Sequence, residues 1–476
     1  MRQSATPLTD RHLVAVALGS LLGAGILYVP DGVENFAGPV TPLAYLGATV
    51  AVCTLAVAYA VFLSSPLAEN GGGAYRFLSR TWHSRSVAFL VVWPAVGGYV
   101  ALVALLAAAL GEALAAVVPL SATAGALVVL GVSAAVHGLG PLVAGRVQLG
   151  LTGLLVASLL ALVVAAASAF DPSNFTPLLP TPALRNAPLA SLSTAAAVAL
   201  FGFVGFDVVV TAVGAADHPR RDGPRALLVG VLGAGLLSTV AAFVTFGVVP
   251  WWQLLYAGSP FADAAASALG VDVGRLLGPV ATLATASALL ALLWPPSRML
   301  AGFGELLPPL ARRNRVGAVD LSLGVVVVAA GGIVVVDGLA PALYLAVASL
   351  AVQYVGLAAT ATALPFVRPA LYERCRLRPR PLALVVVGVA GVGVAGVFLW
   401  RTLTLDPGAV LRWTRWSPAL SSGTSDRLIS GPMRSVVPAM LAWETLGVAA
   451  FVVAADYRDA AGVDLPSMTA ADDDAP

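Results

Sequence analysis

Asp207 is the residue whose chemistry can be argued first. It closes the run Phe201, Gly202, Phe203, Val204, Gly205, Phe206, Asp207, set in a long apolar stretch. An ionisable group inside hydrocarbon is costly unless it is paired or does work, and the two glycines ahead of it weaken a helix and let its backbone open. Three uses stand open for the acid. It could carry a coupling proton, since a low-dielectric site favours its neutral form; it could hold a helix break together by accepting N–H groups; or it could bind a cationic ligand.

A second glycine cluster, Gly19, Gly23 and Gly25, interrupts the first apolar run, LVAVALGSLLGAGILYVP. N–H groups that open a new helical segment around Ala24, Gly25 and Ile26 would carry the positive end of a helix dipole and suit a carboxylate. Carbonyls freed around Phe201, Gly202 and Val204 suit an ammonium group. Facing each other, the two breaks would hold the two ends of a zwitterion, because backbone groups released at membrane depth must face protein, water or ligand. The competing reading of the glycines is close helix packing.

Other polar residues carry less. The hydroxyls of Thr285 and Ser287 are weak sodium-site candidates, set against their commoner use in bonding back to their own helix or gluing helices together. Tyr99, Tyr344 and Tyr354 are read as aromatic packing. His12, His83, His137 and His218 share no ligand spacing, so no metal site is expected, and two cysteines, Cys53 and Cys375, are too few for a disulfide scaffold. No cofactor is expected beyond a proton or sodium as coupling ion, and no nucleic-acid partner.

These residues sit in a chain of 476 residues that is 59% hydrophobic and 11% charged. Apolar runs of about 20 residues make it an all-α integral membrane protein. Twelve helices are expected, near 12–31, 40–64, 86–111, 118–138, 147–169, 189–215, 225–249, 276–303, 320–336, 339–364, 381–400 and 436–455. All 26 basic residues are arginine. With both termini on one side, eighteen arginines fall on that side and seven on the other, five of the seven within 401–435, and Arg298 at the end of the eighth helix completes the 26. The positive-inside rule then makes the termini cytoplasmic.

The organisation expected is a cytoplasmic N-terminus at 1–11, a first half at 12–169, a second half at 189–364, two further helices at 381–455 joined by a long external loop at 401–435, and a cytoplasmic tail at 456–476. Two glycine-broken helices at corresponding places in two halves point to the binding site of an inverted-repeat transporter.

Several stretches carry a resemblance. They are GSLLGAGILYVP followed by Ala37–Pro39, ENGGGAYRFL at Glu69–Leu78, FGFVGFD followed by DHPRRDGPRA at Asp217–Ala226, and PSRMLAGFGELLPPLARRNRVG at Pro296–Gly317. In this order, over roughly residues 12 to 370, the chain resembles the amino acid–polyamine–organocation superfamily of secondary transporters. The resemblance implies a leucine-transporter-like fold of five plus five helices with broken helices 1 and 6, and alternating access. It also implies an amino acid or related amine as substrate.

Carried over by position, it implies carboxylate binding at Leu21, Ala24 and Gly25 with Ser20 beside them, amine binding at the carbonyls of Phe201 and Val204, and an aromatic gate at Phe201. Asp207 stands where many relatives have glutamate. No lysine stands around Leu154 to Ala157, where some relatives carry one tied to proton coupling, so a lysine-borne proton site is not expected.

The function expected is a permease of the plasma membrane, coupled to an ion or proton or working as an exchanger. The alternatives are an amino acid sensor that binds without transport and a membrane-embedded enzyme. The enzyme reading lacks clustered acids, paired histidines and a phosphate loop.

Overall fold

A computed structural model describes residues 7–25, 33, 36–254, 259–404 and 432–460. Ile26, residues 405–431 of the expected external loop and residues 461–476 of the expected tail lie outside the described residues. So do the N-terminal residues 1–6.

The elements in order are α1 (Asp10–Gly25), α2 (Thr41–Leu63), α3 (Gly73–Trp82), α4 (Arg85–Ala115), α5 (Ala122–Gly138), α6 (Pro141–Ala167), α7 (Pro188–Ala199), α8 (Val208–Ala212), α9 (Pro219–Val248), α10 (Pro260–Leu269), α11 (Val273–Leu292), α12 (Trp294–Gly302), α13 (Asp320–Val335), α14 (Leu339–Val367), α15 (Pro381–Thr404) and α16 (Pro432–Ala460). Nine helical stretches among the described residues are long and apolar enough to cross a membrane. Two shorter apolar helices, α5 and α13, accompany them, and α1 contributes 16 residues.

Side chains divide as lipid immersion requires. Leu43, Leu46 and Val50 of α2, Val328 and Val335 of α13, and Val386 and Trp400 of α15 are exposed apolar residues. The opposite faces bury Ala44, Ala48, Val52 and Leu55. Lipid tails are as apolar as these side chains, so close fit rather than exclusion of water holds such helices together.

The first helix lies centrally. α1 packs on α6, α9 and α11, burying Leu13, Val16, Ala17 and Leu21. Gly19 is a point of closest approach: a Cβ there would lie 2.1 Å from Gln148 Nε2 and 2.7 Å from Ser287 Oγ. The glycine therefore serves packing between helices, the second of the two readings above.

One long segment opens where the sequence places glycines before an acid. α7 runs through a 3₁₀ turn at Leu200–Phe203, after which Val204 is extended and Gly205 has φ +94°; helix resumes at α8. The expected helix over 276–303 is, by contrast, carried through Leu293, which keeps helical dihedrals and donates to Leu289 O at 3.2 Å, as one apolar stretch Val273–Glu305 with Pro295 and Pro296 inside it.

Arg368 Nη1 donates to Arg80 O at 2.6 Å, and Arg220 Nη2 to Arg374 O at 2.5 Å, so several arginine-bearing loops meet at one end. There Leu8, fully buried, pairs with the segment after α8: its N–H donates to Ala215 O at 2.8 Å and its carbonyl accepts from Asp217 N–H at 3.0 Å. Arg225 Nη1 meets Asp10 Oδ2 at 3.1 Å beside this bridge. On the flank, Trp93 of α4 and Trp443 of α16 stack at 4.8 Å. Each indole N–H donates to the other residue's carbonyl, at 2.9 and 3.2 Å.

Candidate functional site

The interruption between α7 and α8 is built by glycine. At Gly205 the positive φ falls where L-residues are strained, and an added Cβ would lie 3.0 Å from Leu292 Cδ2. Opening the helix there leaves Val204 O without a donor among the described residues, while Ser20 of α1 reaches across and donates to Gly205 O at 3.1 Å. The same hydroxyl also lies 2.9 Å from Ala17 O. The sequence-expected pair, helix 1 and the break in the sixth segment, is thus brought into contact at Ser20.

Asp207 stands just below the break at 1% exposure. Tyr99 Oη of α4 donates to its Oδ1 at 2.5 Å, Tyr354 Oη of α14 to the same oxygen at 3.2 Å, and Gln353 Nε2 to Oδ2 at 2.8 Å. Every donor is neutral, and each comes from a helix remote in sequence. The Tyr354 oxygen also lies 3.4 Å from Gly205 N–H, which donates to it. Hydrogen bonds to a carboxylate are among the stronger ones, so this cluster clamps the lower half of the broken segment onto α4 and α14. Tyr59 closes it from α2, its ring 5.2 Å from Phe206 and 6.4 Å from Tyr354.

The remaining expected residues fall as follows. Leu21 is buried on α1. Ala24 and Gly25 form the end of that helix, and Ile26 lies outside the described residues. Any helix N-terminus that could offer N–H groups to a carboxylate therefore begins beyond them. Phe201 and Gly202 lie in the 3₁₀ turn, and the Phe201 ring packs edge-on against Phe398 of α15 at 4.9 Å.

Thr285 Oγ1 donates back to Ala281 O at 2.7 Å, the commoner of its two uses. Ser287 Oγ instead joins a buried cluster: it accepts from Gln148 Nε2 at 3.0 Å and lies 3.1 Å from Thr152 Oγ1. Thr152 in turn donates to Ala15 O at 2.9 Å. Gln148 and Thr152 tie α6 to α1 and α11.

Tyr99 and Tyr354 are donors here rather than the packing residues expected from the sequence, and Gln353, Gln148 and Thr152 join the site without having been expected in it. A signal was present. An acid at membrane depth needs polar partners, and Gln353-Tyr354 is a polar pair inside an apolar run. The side chain of Tyr344 lies outside what is described.

A helix broken at glycine, pinned across to the first helix and clamped through an acid, fits the superfamily named above. The model of one family, Amino acid permease, matches residues 11–401, and the chain belongs to that family, within the amino acid–polyamine–organocation superfamily. Over 330 residues it is 27% identical to a chloroplastic cationic amino acid transporter 9 of Arabidopsis thaliana, covering 63% of this chain and 56% of the relative. It is 23% identical over 310 residues to the branched-chain amino acid permease BcaP of Bacillus subtilis, covering 60% and 64%. A stretch of 107 residues is 28% identical to the putrescine transporter PotE of Escherichia coli, covering 22% and 24%. The chain thus matches between about half and two thirds of the length of the first two relatives.

Proposed function

We propose that the protein is a secondary transporter that moves an amino acid or related amine across a membrane by alternating access. Twelve spans, with 12–169 and 189–364 as inverted halves and both termini on the arginine-rich, cytoplasmic side of the plasma membrane, make up the proposed architecture. The substrate site lies at the break: carbonyls of Phe201, Gly202 and Val204 receive the ammonium group, and the carboxylate lies beside Ser20 at the end of α1, past Leu21, Ala24 and Gly25, where backbone N–H groups from Ile26 onward receive it.

The observation that carries this reading is the opened backbone at Val204–Gly205, held next to α1 by Ser20. It supports a ligand made of backbone-sized charged ends, since glycine there lets a substrate approach the chain closely.

Among the three uses weighed for Asp207, its geometry favours holding the break. Both of its oxygens already accept from neutral donors, which leaves little room for a cationic substrate. Ser287 is likewise occupied by Gln148 and Thr152, which speaks against sodium binding through that hydroxyl.

Counterflow tests the proposal without knowledge of a coupling ion. Liposomes containing the purified protein are loaded with a mixture of amino acids and polyamines, and dilute labelled versions are offered outside one at a time. The expected result is accumulation of at least one label, abolished in Gly25→Leu. Binding without accumulation would make the protein a sensor, and absence of both would remove the proposed site.

A further inference from the structure

Away from the break, the described residues line an open cavity of about 340 Å3 at the arginine-rich end, formed by Glu69, Asp217, His218, Arg220, Arg221 and Arg376 with Ala216 and Pro219. Three separate segments build its walls, and they are bonded to one another. Arg220 Nε donates to Ser64 O at 3.2 Å, the Arg376 N–H donates to the same carbonyl at 3.1 Å, and the Leu377 N–H donates to Ser64 Oγ at 3.0 Å. The cavity is therefore a fixed feature of the fold at the mouth of α9.

Its charges are unevenly matched. Glu69 faces Arg220 at 3.7 Å, and Asp217 faces His218 at 3.6 Å. Arg221 has only a 3.9 Å approach to Asp222 while remaining 65% exposed. The Arg376 side chain makes no hydrogen bond or ion pair among the described residues. Three guanidinium groups share the cavity with two carboxylates, Arg221 keeping only its long, exposed approach to Asp222, and the planar fork of guanidinium matches the oxygens of phosphate.

We propose that this cavity binds a phosphate-bearing anion, either the headgroup of an anionic lipid or a free phosphate compound, held by Arg221 and Arg376. The lipid source has a route, because α9 continues from the cavity into an apolar span. The free source has one as well, since the lining side chains are open to water. Ala216 and Asp217 belong both to the lining and to the segment that pairs with Leu8. An occupant would therefore brace the bridge between the start of α1 and the end of α8.

The test uses the full-length protein and reads binding rather than transport, so its outcome is independent of the proposed function. Thermal unfolding is followed with inorganic pyrophosphate in detergent, and in nanodiscs of phosphatidylglycerol or phosphatidylcholine, for wild type and for Arg221→Gln/Arg376→Gln. The expected result is a rise of several degrees in the wild type that the double variant lacks.

A rise with pyrophosphate identifies a soluble phosphate, and a rise with phosphatidylglycerol alone identifies a lipid headgroup. No rise in either arm, or an equal rise in the double variant, overturns the proposal. Should the double variant not fold, Arg376→Gln alone serves, because its side chain holds nothing in place. A smaller rise than wild type then supports the site, and an unchanged rise overturns it.

Discussion

Two acids hold elements together in this protein, and they are held in opposite ways. Asp207, at membrane depth, accepts from two tyrosines and a glutamine, all neutral. Glu305, at the arginine-rich end, meets Arg80 at 2.5 Å and Arg85 at 3.4 Å. The difference follows from the surroundings. In hydrocarbon a second charge would have to be desolvated along with the first, whereas hydroxyls and an amide satisfy a carboxylate at lower cost. Near water that cost is small, and guanidinium groups add reach and orientation. The central clamp is thus a matter of hydrogen-bond completeness, and the peripheral one a matter of charge.

The largest effect expected from breaking that contrast is at Asp207. In Asp207→Ala the donors of Tyr99, Tyr354 and Gln353 lose their acceptor inside a buried site, at about 1–3 kcal/mol for each donor left unpaired. Thermal unfolding should fall steeply and counterflow should vanish. Retained stability would mean that the cluster is not a clamp.

Tyr99→Phe should cost less, about 1.5–3 kcal/mol for one bond to a charged acceptor. The cost should largely disappear when it is made in the Asp207→Ala background, because the partner is already gone. Additive losses in that double-variant cycle would separate the two residues.

Glu305→Gln should have the smallest effect on stability, about 1 kcal/mol, because the amide oxygen still accepts from Arg80 and Arg85 and only the charge is lost. That loss should shrink as salt is raised, while the Asp207→Ala loss should not. Equal salt dependence at both acids would erase the distinction.

The two acids also show how far the sequence could be read. The apolar runs, the membrane class and the interruption at Gly205 were legible because each is local: a run of side chains, or a glycine pair before an acid. The partners of Asp207 were not. They stand on α4 and α14, more than a hundred residues away on either side, and only the rotation of those helices turns Tyr99 and Tyr354 from packing residues into donors. Gly19 was legible as a special position but not as a packing one, since the side chains it accommodates, Gln148 and Ser287, come from α6 and α11.

The pairing of Leu8 makes a further demand on how the molecule moves. Through two backbone hydrogen bonds the lead-in to α1 and the run-out from α8 are joined as one lever with two arms, and the Arg225–Asp10 contact ties α9 to the start of α1 beside them. A swing of either arm has to carry the other with it or first tear that joint open. The two segments that face the proposed substrate are thereby geared to each other at the end of the protein farther from it in the chain, where no ligand is needed to make the connection.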